Sequence, residues 1–279
     1  MQRSWRPSVS AFCVVIFVGV AASALGADKG VLGQTHPWAR FPAGSWRKVQ
    51  IVTENYDDQG KQVETSSTDN VTTIEETRPD RVSLRVEVTV EVGGRRFPAQ
   101  PQVLRQGFLG EAIGQTVSLV PMRTETIRVG NRDLSCYTEH LEILGGQSKE
   151  VGLISYCSSP VPRIVRRQTT SSDVTSGATL NESTSQLKTW DEVYPVLGQP
   201  KHAFRVTLKQ KSDRGTTTTE SIHVPEIPGE IVHETSEKTN ATGQLERRSK
   251  LELMAYSVEP DDSHRDTGAR RKRRAKRGR

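Results

Sequence analysis

The sequence predicts a mostly β protein whose antiparallel strands follow one another as a meander, with little helix. Three observations predict this fold class. Apolar and polar residues alternate over long stretches, Val and Thr, which favour strands, are frequent, and turns rich in Gly and Asp separate the stretches. The meander would form either one curved sheet of the half-barrel kind or two packed sheets.

The clearest strand covers Val82 to Val92, which reads VSLRVEVTVEV. Apolar residues occupy every second position, which is the period of a strand with one buried face. A sheet with one buried and one exposed face is typically antiparallel. Gly93 and Gly94 follow and are expected to end the strand as a turn.

The same alternation predicts a hairpin nearer the N-terminus, with strands at Trp46 to Tyr56 and Val63 to Thr77 joined by a turn at Asp57 to Gly60. Leu187 to Tyr194 fits a helical period and a strand equally well. Further predicted strands are Gln115 to Val120, Glu125 to Val129, Leu134 to Leu144, Glu150 to Cys157, Ile164 to Thr170, Phe204 to Gln210, Thr216 to Val224, Ile231 to Lys238 and Leu245 to Val258.

The N-terminal segment predicts export. Arg3 and Arg6 precede an apolar run from Ala11 to Leu25, and small residues follow, which is the order that signal peptidase recognises. The run is short for a membrane span, although a retained anchor or a buried helix is an alternative. We therefore expect a signal peptide at 1–27 and a mature protein in the periplasm, at the cell surface or outside the cell, without a membrane span.

The rest of the chain divides by composition. Residues 28–260 are predicted to form a β-rich domain, either as one unit or as two sub-domains at 28–130 and 131–260. Residues 261–279 are predicted to be a disordered basic tail. Of the net charge of +6, the signal contributes +2 and residues 265–279 contribute +8, which leaves −4 for the body between them.

The tail is the sharpest functional element of the sequence. Its charge density suits an anionic polymer or surface, because binding would release counterions. Sequence-specific binding of nucleic acid is not expected, since the tail has no aromatic residue to stack on bases; a solvated tail without function is the alternative. The predicted polyanion-binding residues are Arg270, Arg271, Lys272, Arg273, Arg274, Lys276, Arg277 and Arg279.

The cysteines predict one disulfide. Cys13 lies in the predicted signal and leaves with it, so Cys136 and Cys157 remain. An even pair in an oxidising compartment indicates a bridge, which would close a loop of about 21 residues and stabilise the fold by roughly 3 kcal/mol. The alternative is a pair of buried thiols.

Few residues indicate other chemistry. No catalytic or nucleotide-binding motif is present, and we expect no enzyme activity, no metal and no cofactor. His223 and His233 could face each other across a hairpin and hold zinc, but surface histidines are commoner. Trp38, Phe41 and Trp46 form either a ligand-contacting patch or a core plug at one end of the sheet.

Two similar corners carry a resemblance. Val161-Pro162-Arg163-Ile164-Val165 and Ile227-Pro228-Gly229-Glu230-Ile231-Val232 each lead into a polar strand. This pattern resembles the meandering sheets of lipoprotein-carrier-like proteins, and the stretch from Trp38 to Val103 resembles uncharacterised exported bacterial β-rich proteins. The carrier-like proteins curve a sheet around an apolar ligand, but the resemblance itself implies only an exported β-rich domain and no particular ligand. The two corners themselves indicate either an internal duplication or two similar hairpins.

The sequence thus favours an exported, non-catalytic β-rich protein that binds an unknown apolar ligand or cell-envelope component, or has a structural role. One alternative is a secreted polyanion-binding protein that acts through its tail. The other is a hydrolase whose site the sequence does not locate.

Overall fold

The structure is a computed structural model that describes residues 36–157 and 163–258. The predicted signal at 1–27 and the predicted tail at 261–279 lie outside the described residues. Within the described ranges, no helix has the length and apolar character needed to cross a membrane. The strands are β1 (Trp46–Tyr56), β2 (Gln62–Arg78), β3 (Arg81–Val92), β4 (Arg95–Pro98), β5 (Gln102–Gly107), β6 (Thr116–Val129), β7 (Arg132–Gly145), β8 (Ser148–Cys157), β9 (Arg163–Asp173), β10 (Thr179–Val196), β11 (Gln199–Ser212), β12 (Gly215–His223), β13 (Ile231–Thr239) and β14 (Leu245–Ser257).

All fourteen strands belong to one antiparallel sheet, so the predicted mostly β meander is confirmed and takes the form of a single sheet. From one edge, the order is β4, β3, β2, β1 and then β14 back through β6, while β5 pairs with β3 beside β4. The described chain therefore begins and ends at neighbouring strands, since Trp46 of β1 lies opposite Ser257 of β14. Strands from both predicted sub-domains take part in the same sheet.

The sheet curls at its β6 end. Ile127 and Val129 of β6 and Leu187 of β10 belong to one buried apolar cluster, although three strands separate β6 from β10 in the sheet. Arg132 at the start of β7 also forms an ion pair of 3.4 Å with Asp191 of β10. One face of the intervening strands is therefore concave.

The predicted hairpin and the strand at Val82 to Val92 are present. Asp57 closes the hairpin turn, because its carboxylate accepts hydrogen bonds from the backbone N–H groups of Gln59 and Lys61, each 2.9 Å. In β3, Val82, Leu84 and Val86 are buried, but the later valines are partly exposed. The later part of β3 lies beside the fully exposed, four-residue β4, so little covers it.

The segment from Leu187 to Tyr194 is strand, within β10. Its pairing with β11 shifts register between Leu187 and Thr189 and again between Thr189 and Glu192. Asp191, which lies within the second shift, has a φ of 67°, in the left-handed region. Each bulge interrupts the strand's alternation of side chains, which is why the apolar residues follow a helical spacing in a segment that forms no helix.

The predicted disulfide is absent from the structure, which has no bond between Cys136 and Cys157. Both side chains are buried in the apolar cluster shared by β6 to β11. They lie on neighbouring strands, one step beyond the pair of Tyr137 and Tyr156. The Cys136 thiol points toward the carbonyl of Leu134 at 3.5 Å, and burial raises its pKa to about 11. The pair therefore fills the core as thiols, which was the alternative.

Candidate functional site

A cavity of about 270 Å³ opens on one face of strands β9 to β13. Its lining alternates along β10, β11 and β12, as expected for one face of a sheet. The middle strand, β11, contributes an apolar row, and the strands on either side contribute mainly hydroxyl and amide groups. The apolar row is Phe204, Val206 and Leu208, and the polar rows are Asn181, Ser183 and Ser185 on β10 and Thr219, Ser221 and His223 on β12.

Four of the charged groups in the cavity wall form two neutral pairs. Arg167 donates a hydrogen bond of 2.7 Å to Glu150, and Arg163 donates one of 2.9 Å to Glu230. Both pairs join residues on different strands or turns. The cavity therefore presents a mostly neutral polar surface beside its apolar row.

Glu230 is the electrostatic centre of one end of the cavity. It is 2% exposed and lies 2.9 Å from both Arg163 and Arg40. Burial raises the pKa of this carboxyl, but Arg163, the nearby His223 imidazole and Arg40 together hold it well below its usual range. Glu230 is therefore ionised at neutral pH.

Ser221, His223 and Glu230 form a connected row at this end. The Ser221 Oγ lies 2.8 Å from the His223 Nε2, and the His223 Nδ1 lies 3.6 Å from the Glu230 Oε2. Burial lowers the pKa of His223, so the imidazole is neutral near pH 7. With its proton on Nδ1 facing the carboxylate, Nε2 accepts the hydrogen bond from Ser221.

Phe204 supports this row from the neighbouring strand. It lies opposite His223 in the β11–β12 ladder, and their rings stack with centroids 4.9 Å apart. The Arg163 guanidinium carbon lies 3.5 Å from the centroid of the same Phe204 ring. Arg163, Phe204 and His223 are thus packed into one layer, which restricts the rotamers of the histidine and the arginine.

The chain before β1 fixes the turn that carries Glu230. Gly229 has a φ of +74°, and a Cβ at this position would lie 2.4 Å from the Trp38 ring, so only glycine fits there. The Gly229 N–H donates to the Pro37 carbonyl at 2.9 Å. Arg47 Nη1 donates to the carbonyls of Gly229 and Ile231, at 3.2 and 2.8 Å. These contacts fix the backbone on both sides of Glu230.

Trp38, Phe41 and Trp46, for which a ligand-contacting patch and a core plug were both considered, differ in burial. Trp38 is 2% exposed and packs with Ile74, Val82 and Leu84 in the core. Phe41 packs partly buried against the same cluster. Trp46 is half-buried at the start of β1. Trp38 is therefore part of the core at this end of the sheet, in contact with the turn at Gly229.

The two histidines considered for zinc do not meet. His223 lies opposite Ile231 and faces the cavity, while His233 lies opposite Ile222. His233 instead pairs with Glu252 at 3.0 Å. Within residues 36–157 and 163–258, no cluster of three His, Cys, Asp or Glu side chains is placed to hold a metal ion.

Sequence reasoning missed this site, although part of its signal was present. Ser221 and His223 lie two residues apart in the predicted strand Thr216 to Val224, so the period of a strand puts them on one face. Arg163 and Glu230 occupy corresponding places in the two similar corners of the chain. No local pattern, however, indicates that Arg163 and Glu230 are in contact.

No protein-family model matches the chain, and no curated protein matches its sequence. Among solved structures, it is similar to a candidate lipoprotein from Parabacteroides distasonis ATCC 8503, with 10% identity and a TM-score of 0.33 over 78% of this chain and 97% of that one. It is also similar to a candidate exported protein with a YmcC-like fold from Bacteroides fragilis NCTC 9343, with 10% identity and a TM-score of 0.30 over 77% and 97% of the two chains. The chain thus resembles exported bacterial β proteins, as the sequence predicted. A likeness of this degree carries no argument about ligand or activity.

Proposed function

We propose that the mature protein is exported and binds a small amphipathic ligand in the cavity of strands β9 to β13. Export is inferred from the signal at residues 1–27. Binding is inferred from the cavity, whose apolar row on β11 is flanked by rows of hydroxyl and amide groups. Sites for small molecules combine apolar walls with a few polar groups that fix orientation.

The arrangement of the rows is the observation that carries this proposal. An apolar face of the ligand would lie against Phe204, Val206 and Leu208, and its polar edges would meet the side chains on β10 and β12. A purely apolar ligand would leave those hydroxyl groups without partners, which costs free energy. We therefore propose an amphipathic ligand, in place of the apolar ligand expected from the sequence.

Binding of tyrosol tests this proposal. Tyrosol is an aromatic alcohol with a hydroxyl group at each end, and its size suits the cavity. With ten non-hydrogen atoms, such a probe should bind with a dissociation constant on the order of 1 mM. Saturation-transfer NMR detects binding in that range and identifies the ligand protons that contact the protein.

A variant with the cavity filled supplies the control. Ser183 points into the cavity, and its neighbour Thr184 is exposed on the other side of the strand. Ser183→Trp should abolish the saturation transfer to tyrosol, whereas Thr184→Trp should leave it unchanged. Equal signals from the two variants, or no transfer with the native protein at several times 1 mM probe, would show that the cavity is not the binding site.

A further inference from the structure

We propose that Ser221, His223 and Glu230 form a hydrolytic triad that cleaves a small carboxylic ester held in the cavity. The Ser221 Oγ is 2.8 Å from His223 Nε2, and His223 Nδ1 is 3.6 Å from Glu230 Oε2. A hydroxyl nucleophile, an imidazole base and a carboxylate in this order are the arrangement that activates serine on unrelated folds. The inference rests on the proposed function, since the ester would occupy the same cavity.

The protonation states suit this role. Burial lowers the pKa of His223, so its Nε2 is free to accept a proton at neutral pH. Glu230 stays ionised because Arg163 and Arg40 lie beside it. Its carboxylate therefore acts as a positioning residue that keeps the imidazole proton on Nδ1.

Access distinguishes this row from a structural hydrogen bond inside a core. Ser221 and His223 are each 6% exposed, and both contribute to the cavity wall. Ser221 thus lies in the wall of the space where a ligand would contact Phe204 and Val206. An acyl group with a short apolar chain fits that surface.

Arg163, although paired with Glu230, brings guanidinium N–H donors to the same end of the cavity. Its guanidinium is fixed against the Phe204 ring, on which the His223 ring also stacks. Negative charge develops on the carbonyl oxygen of an ester during attack, and a fixed cation nearby stabilises it. One of the two guanidinium Nη atoms of Arg163 binds Glu230, and a guanidinium carries five N–H donors in all.

The reaction balances with water as the only co-reactant. Ser221 Oγ bonds to the acyl carbon as its proton moves to His223 Nε2. The bond from the acyl carbon to the leaving oxygen then breaks, and the proton passes from Nε2 to that oxygen to give the alcohol. Water attacks the acyl-serine, gives its proton to Nε2, and releases the carboxylic acid while the proton returns to Ser221 Oγ.

The test uses the mature protein with p-nitrophenyl acetate and with a small fluorophosphonate that labels activated serines. We expect hydrolysis of the ester and a mass increase on the peptide that contains Ser221. Ser221→Ala should lower the hydrolysis rate by about a hundredfold or more. Thr218→Ala, which removes an exposed hydroxyl from the same strand outside the cavity lining, should leave the rate within about twofold.

The positioning role of Glu230 has its own readout. The acidic limb of the rate profile reports the protonation of His223, and Glu230 raises the pKa of that histidine. In Glu230→Gln, the limb should therefore move to lower pH while the rate falls. A rate that falls without any movement of the limb would overturn this role.

The outcomes separate this inference from the binding proposal. Equal rates of hydrolysis by the native protein and by Ser221→Ala would overturn the triad. Absence of labelling at Ser221 would also overturn it. The labelling is measured on the native protein, so this second test holds even if Ser221→Ala folds poorly. Tyrosol binding that persists in that case leaves the binding proposal intact. Labelling of Ser221 without tyrosol binding would sustain the triad and refute the ligand class.

Discussion

Replacing Glu139 by glutamine should remove a pH-dependent loss of stability. Glu139 lies in the middle of β7, opposite Pro121 on β6 and Ile154 on β8. It is 3% exposed. Among the described residues, no hydrogen-bond donor or cation lies within bonding distance of its carboxyl group. Burial alone raises its pKa from 4.5 to about 7.

The sign and size follow from that shift. The folded protein holds the Glu139 proton more tightly than the unfolded chain does, so stability is unaffected below about pH 4.5 and falls as the pH rises toward 7. Each unit of difference corresponds to about 1.4 kcal/mol, so the total loss above pH 7 is about 3 kcal/mol. Glutamine cannot ionise and escapes this loss.

Urea unfolding of the native protein and of Glu139→Gln between pH 4 and pH 8 measures the effect. The glutamine amide adds its own cost of about 1–2 kcal/mol at this buried position, but that cost is the same at every pH. The stability of the variant relative to the native protein should therefore rise by about 3 kcal/mol between pH 4 and pH 8.

Glu142 on the same strand supplies the control. It is paired with Lys149 at 3.0 Å, and the exposed fractions are 34% for the Glu142 side chain and 40% for the Lys149 side chain. Glu142→Gln should change stability by less than about 1 kcal/mol. A difference between native protein and Glu139→Gln that stays constant across the pH range would refute the reasoning.

Three further results are expected. Gly229→Ala should lower the free energy of unfolding by about 2–4 kcal/mol, because strain at positive φ adds to the overlap with Trp38. Gly60 also has a positive φ but lies in open space, so Gly60→Ala should lower the free energy of unfolding by only about 1 kcal/mol. Deletion of residues 269–279 should abolish retention on heparin resin at low salt, and unchanged retention would exclude the tail as the binding segment. Cys136 and Cys157 should resist a thiol reagent in the native protein, because both are buried, and should titrate as two thiols after unfolding; a count of zero would indicate a disulfide.

The strands were predictable because their signal is local. The alternation at Val82 to Val92 depends only on which face of one strand is buried. The same reasoning did not decide between helix and strand for Leu187 to Tyr194, because two bulges there interrupt the alternation of side chains. Bulges are placed by pairing with β11, and a single stretch of sequence does not contain that information.

The candidate site was less predictable than the fold. Ser221 and His223 share a strand face for a local reason, but Glu230 joins them through the turn that Trp38 and Arg47 fix from β1 and the segment before it. Arg163 arrives from β9, 67 residues away in sequence from Glu230. Residues so far apart leave no common pattern in the sequence.

The sequence by itself determined the β class, the turns and the expected cellular location of the protein, because these depend on neighbouring residues and on composition. Only the tertiary structure decided that β1 and β14 are neighbours, that Trp38 is core, and that Ser221, His223 and Glu230 meet at one end of a cavity. The physical reason is that these features depend on the order and register of strands. Contacts between distant segments set that order, and no local propensity encodes it.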